Sequence, residues 1–163
     1  MDQAADHALN PALRHAFDVL GIDSPEEQQR LLNSLAFRTA VEATDAPLFL
    51  TNLLHVLIAL DIPVRDGHRL MSSDSLISRV RHDSPKLIAY AQRAFNQLNI
   101  VNVADKVRLL STNSFVVAFG RDNFIPLVEN AFALRGVITL QAKIKLLSDN
   151  EFLSTVVLRP RDN

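Results

Sequence analysis

Arg79, Arg81, Lys86 and Arg93 are the residues whose type and spacing come closest to a chemistry in this chain. A short apolar helix (Leu76, Ile77, Val80) precedes Arg81-His82-Asp83, and Ser84-Pro85 then opens a second helix. That is the outline of a helix-turn-helix, with Ser84-Pro85-Lys86 where a recognition helix would begin. Four cations so placed would reach phosphates, and binding through them would weaken steeply with salt. The turn lacks the usual glycine, and any two consecutive helices of a bundle share this outline. A solvated basic surface is therefore the plainer expectation.

Other chemistries have less to stand on. His15 and Asp18 lie three apart on one helical face, and Asp2 and Asp6 flank His7, but no His-Glu-x-x-His or His-x-His occurs. A metal needs three or four converging ligands, so no metal and no cofactor are expected. His68 follows Asp66-Gly67, a turn, and is expected in solvent. Ser72, Ser73 and Ser75 lie near His68 and Asp74, where serines serve as turn and cap residues. Glu26 and Glu27 are accounted for by the helix dipole behind Ser24-Pro25. The chain has no cysteine, which removes thiolate catalysis, disulfides and cysteine-ligated zinc. Its four glycines spell neither a P-loop, a dinucleotide fingerprint nor a nucleophile elbow. Catalysis is the minority expectation.

The elements that must position these residues are mostly helices. Hydrophobic residues make up 48% of 163 residues, enough for one packed domain. Asn10-Pro11, Ser24-Pro25-Glu26-Glu27, Thr44-Asp45-Ala46-Pro47 and Ser84-Pro85 each pair a side-chain cap with a proline of preset φ. They predict helices over 11–20, 25–43, 46–61, 73–81, 85–98, 102–111 and 123–135. The helix from Pro47 is apolar nearly all round and belongs in the middle of the bundle. In the last third, Ile138, Leu140, Ala142, Ile144 and Leu146 alternate with polar residues, the period of a half-buried strand. Ser148-Asp149-Asn150 then predicts a turn and 152–158 a returning strand, with 114–119 as a third candidate.

The expected fold is mainly α (α+β): a bundle of six or seven helices carrying a C-terminal antiparallel β-hairpin. It forms one domain over 1–163, helical over residues 1–112 and mixed α/β over 113–159, with a tail at 160–163. The hairpin's outer edge offers pairing to a second copy, hence a homodimer. His15 to Ile22 and Arg93 to Ile100 look alike, but the likeness fades after both and is read as two similar helix ends.

Charge is uneven. Residues 1–63 sum to −6, 64–110 to +4 and the remainder to +1. No run reaches the length of a membrane span, and Met1 to His7 lacks the basic region of a signal peptide, so no membrane association and a cytoplasmic location are expected. Arg93 to Leu109, with Leu98, Ile100, Asn102 and Val107, resembles the final helices of quorum-sensing-type helix-turn-helix regulators. Leu110 to Phe119 is similar to a short segment of a flagellar regulator. Each resemblance covers a small stretch of the chain, and no residue role is carried over. The leading expectation is a non-enzymatic regulator or adaptor that binds another protein. The alternative is a DNA-binding transcriptional regulator using the basic 73–99 region.

Overall fold

The computed structural model describes residues 11–158, whose regular elements are all helices joined by short turns, with no strand. The acidic start with Asp2, Asp6 and His7, and the tail 160–163, lie outside the described residues. The chain divides into two compact units between Ser84 and Pro85.

The first unit holds α1 (Pro11–Leu20), α2 (Pro25–Leu32), α3 (Leu35–Glu42), α4 (Ala46–Ala59) and α5 (Val64–Gly67), which runs into a 3₁₀ turn, His68–Ser72. It ends on the first limb of α6 (Asp74–Gln97). That helix is one run only in name, because Asp83 has φ −162° and ψ 63°. Pro85 lies two residues on; it has no N–H to donate to the Arg81 carbonyl four residues back, and its ring crowds that carbonyl, so the helix does not run unbroken through this point. Caps set the shorter boundaries. Ser24 accepts from the Glu27 amide, and Ser34 accepts from the Phe37 amide. The second of these divides the expected helix 25–43 into α2 and α3. Ser24→Ala should cost about 1 kcal/mol, read from the urea midpoint.

The core of this unit gathers Leu13, Phe17, Leu31, Phe37, Leu53 and Leu57, with Phe17 and Phe37 stacked at 6.2 Å. Gly67 lies hard against it. A Cβ there would sit 2.7 Å from Leu57 Cδ2 and 2.9 Å from Cδ1, and Leu57 is itself fully buried. Gly67→Ala should therefore destabilise by about 1–3 kcal/mol, an overpacking effect visible in thermal melts.

The second unit holds the second limb of α6, then α7 (Val103–Leu110), α8 (Asn113–Ala118), α9 (Phe124–Leu134), α10 (Leu140–Leu147) and α11 (Asn150–Val156). Its core is a ring cluster: Phe115 stacks on Phe95 and meets Phe119 and Phe124 edge-on.

The expected hairpin is absent. Segments 114–119, 138–146 and 152–158 fall on α8, α10 and α11. The alternation that suggests a strand also contains helical spacing, because Leu140, Ile144 and Leu147 stand four and three apart. Ile144 and Leu147 are buried, whereas Ile138 is 83% exposed, which a strand with a core face would not allow. Thr139 accepts from the Ala142 amide and Asp149 from the Glu151 and Phe152 amides, so both are helix N-caps. Among the described residues there is no strand and so no edge, and the homodimer through a hairpin edge falls with it.

Candidate protein-binding face

In the first unit α4 has two apolar faces and only one inside. Phe49, Leu50, Leu53, Val56 and Leu57 are buried, while Leu48 is 60% and Ile58 72% exposed. Leu48, Thr51, His55 and Ile58 are spaced three, four and three apart, so they form one outward stripe. Thr51, Leu54, His55 and Ile58 line a shallow hollow of about 330 Å³. The stripe has acidic ends. Asp45 precedes the helix, and Asp61 follows it in the left-handed region (φ 59°). There Ile62 N–H donates to the Leu57 carbonyl at 2.8 Å and Asp61 N–H to that of Ile58 at 3.1 Å, closing the helix in a Schellman motif. Both aspartates are exposed. Among the described residues no single helix is long and apolar enough to cross a membrane.

A second concavity in the same unit is polar. Asp18, Leu20, Gly21, Asp23, Glu27, Arg65 and His68 are among the residues lining a cleft of about 540 Å³. His68, expected in solvent, is 6% exposed. Its Nε2 stands 2.8 Å from the Leu20 carbonyl oxygen and its Nδ1 3.2 Å from Glu27 Oε1. A carbonyl only accepts, so Nε2 donates. Arg30 Nη2 in turn donates to the His68 carbonyl at 3.1 Å. The ring thus ties the end of α1 and α2 to the 3₁₀ turn, and its nitrogens are occupied by structural bonds rather than aimed at a substrate. Among the described residues no three His, Asp or Glu converge to hold a metal. His68→Ala should leave the Leu20 carbonyl without its donor and cost about 1–3 kcal/mol by urea denaturation.

The four basic residues are distributed between the units. Arg79 and Arg81 lie on the first limb of α6, both half-buried, with the Arg81 Nε buried and unbonded. Exposed Lys86 and half-buried Arg93 lie on the second limb. Arg93 Nη2 donates to the Phe119 carbonyl at 2.9 Å and the Arg121 carbonyl at 3.3 Å, and its guanidinium stands 5.4 Å from the centre of the Tyr90 ring. That side chain holds the end of α8. Nothing in the residue string distinguishes such an arginine from a phosphate reader, because its acceptors are main-chain carbonyls 26 and 28 residues away. The outward stripe also escaped sequence reasoning, although Thr51, Asn52 and His55 interrupt the apolar run and mark where it turns outward.

No protein-family model matches the chain, and no curated protein or solved structure matches it.

Proposed function

We propose that the protein is a non-enzymatic adaptor or regulator that binds another protein through the outward stripe of α4. The observation that carries this is the exposure of Leu48 and Ile58 on a helix whose opposite face already closes a core. Covering each such side chain is worth about 1.5–3 kcal/mol, enough for two of them to anchor a small interface. The occupant that fits is an amphipathic helix, its apolar residues at spacings of three and four and its ends carrying Lys or Arg to meet Asp45 and Asp61. The surrounding stretch 1–63, at −6, favours the same basic partner.

The test starts with affinity capture from the native host by the full chain, and the stoichiometric protein recovered is then purified. Wild-type chain and a Leu35→Asp control, altered at another exposed leucine, should retain that protein. The Leu48→Asp/Ile58→Asp chain should release it with its melt unchanged. Retention by the stripe variant, or capture that returns only the bait, would remove the proposal.

A further inference from the structure

We infer that the chain is a tandem duplication: residues 13–80 and 91–156 are two copies of one six-helix module. The likeness between His15 to Ile22 and Arg93 to Ile100, taken alone, looks like chance. The structure shows that it does not stop there. At a constant offset of 78 residues, Ala16, Phe17, Leu20 and Ile22 recur as Ala94, Phe95, Leu98 and Ile100. Further on, Leu31, Phe37 and Ala40 recur as Leu109, Phe115 and Ala118. All fourteen of these residues are buried.

The backbone repeats in the same register. Ile22 N–H donates to the Phe17 carbonyl at 2.8 Å, and Ile100 N–H to that of Phe95 at 2.8 Å. Ala46 N–H reaches the Ala43 carbonyl at 3.1 Å, and Phe124 N–H that of Arg121 at 3.1 Å. Ser24 caps α2 through the Glu27 amide, and Asn102 caps α7 through the Asp105 amide. The rings correspond too: Phe17 on Phe37 at 6.2 Å and 9°, Phe95 on Phe115 at 6.2 Å and 12°.

Two changes of length separate the copies. α4 has 14 residues and α9 has 11, which moves the offset to 75. Ile62 N–H to Leu57 O then matches Val137 N–H to Phe132 O, both 2.8 Å. In this way a left-handed residue closes the first and fourth helix of each copy: Gly21 and Asp61 in one, Asn99 and Gly136 in the other. Ile138 restores one residue, and the offset is 76 to the end. Ser73 N–H to Leu70 O matches Asp149 N–H to Leu146 O, both at 3.0 Å, and buried Leu76 and Ile77 match buried Phe152 and Leu153. Two unrelated bundles share helix number readily. They do not share helix order, caps, left-handed closures and a ring stack in one register.

The duplication stands apart from the binding proposal but sharpens it. Shared residues are those the module needs to fold. Leu48 and Thr51 become Pro126 and Glu129 in the second copy, so the apolar stripe is not required by the fold. Buried His68 becomes buried Ile144, so its polar link belongs to the first copy alone.

The cysteine-free chain allows a direct test by spin labels at exposed positions. Asp18→Cys with Thr39→Cys is compared with Asn96→Cys with Val117→Cys. Glu26→Cys with Ser78→Cys is compared with Ala104→Cys with Ser154→Cys, and Thr44→Cys with Ser78→Cys with Asp122→Cys with Ser154→Cys. Circular dichroism first checks that each full-length variant keeps its helices. Matching distances to within about one helical turn, roughly 5 Å, in all three comparisons is the expected result. A mismatch beyond a helix diameter, roughly 10 Å, in any folded comparison overturns the duplication, and leaves the α4 proposal standing.

Discussion

Phe115→Ala should be among the most damaging truncations in the chain, costing about 3–5 kcal/mol. Phe115 is fully buried and touches three rings: Phe95 at 6.2 Å, Phe119 at 5.2 Å and Phe124 at 5.8 Å. Two of those contacts are edge-to-face, an arrangement worth about 0.5–1.5 kcal/mol per pair beyond area burial. Alanine leaves a void among the rings that α6, α8 and α9 supply, and those helices would have to collapse to fill it. For a unit of this size each kcal/mol lowers the melting midpoint by about 4–8 °C, so a fall of more than about 12 °C is expected. Differential scanning calorimetry of the full chain measures it. Phe37→Ala, its counterpart in the first unit, should also lose several kcal/mol, but less than Phe115→Ala because it stacks on a single ring, Phe17. A Phe115→Ala midpoint within about 3 °C of wild type would contradict the packing described here.

Ile58→Asp should do the opposite, leaving the melt in place and removing the interaction. Ile58 is 72% exposed, and substitutions at such positions usually move stability by no more than about 0.5 kcal/mol. At an interface the same carboxylate would be buried without a partner, beside apolar atoms. An apolar anchor lost from a small interface costs about 2 kcal/mol or more, so affinity should fall at least about thirtyfold by titration calorimetry with the purified partner. Asp45→Asn or Asp61→Asn, at the rim, should lower the association rate and its salt sensitivity while changing the dissociation rate little.

The start of α2 is legible because a cap and a proline coincide at Ser24-Pro25, and α4 begins at the Asp45-Ala46-Pro47 signal although Asp45 makes no side-chain cap bond. There the chemistry of the first turn is local, and a local pattern suffices. The last third is not legible, for an equally physical reason. In Ile138 to Leu147 the apolar residues satisfy period two and the helical spacing at once, and the deciding facts are two caps, Thr139 and Asp149. The break at Ser34 is hidden in the same way, since a serine inside an amphipathic run also suits a helix surface. Ser84-Pro85 foreshadows the division that follows Ser84, but the same pair also serves as a plain helix start.

The candidate site is less legible still. Exposure of Leu48 and Ile58 depends on which side of α4 the rest of the unit covers, and an all-round apolar helix does not reveal that. His68 has the look of a turn residue because Asp66-Gly67 precedes it. Its burial follows from α2 and the end of α1 reaching across to it, over 41 and 48 residues of sequence. The basic residues are visible as charges, but the main-chain carbonyls that occupy Arg93 are not.

The most direct measurement is methyl-resolved NMR of the full chain with the captured protein added. Contacts between the partner's methyl groups and those of Leu48, Leu54 and Ile58, with the residues around His68 unshifted, are the predicted result. Contacts confined to the His68 cleft or to Lys86, with the three α4 residues unchanged, would contradict it.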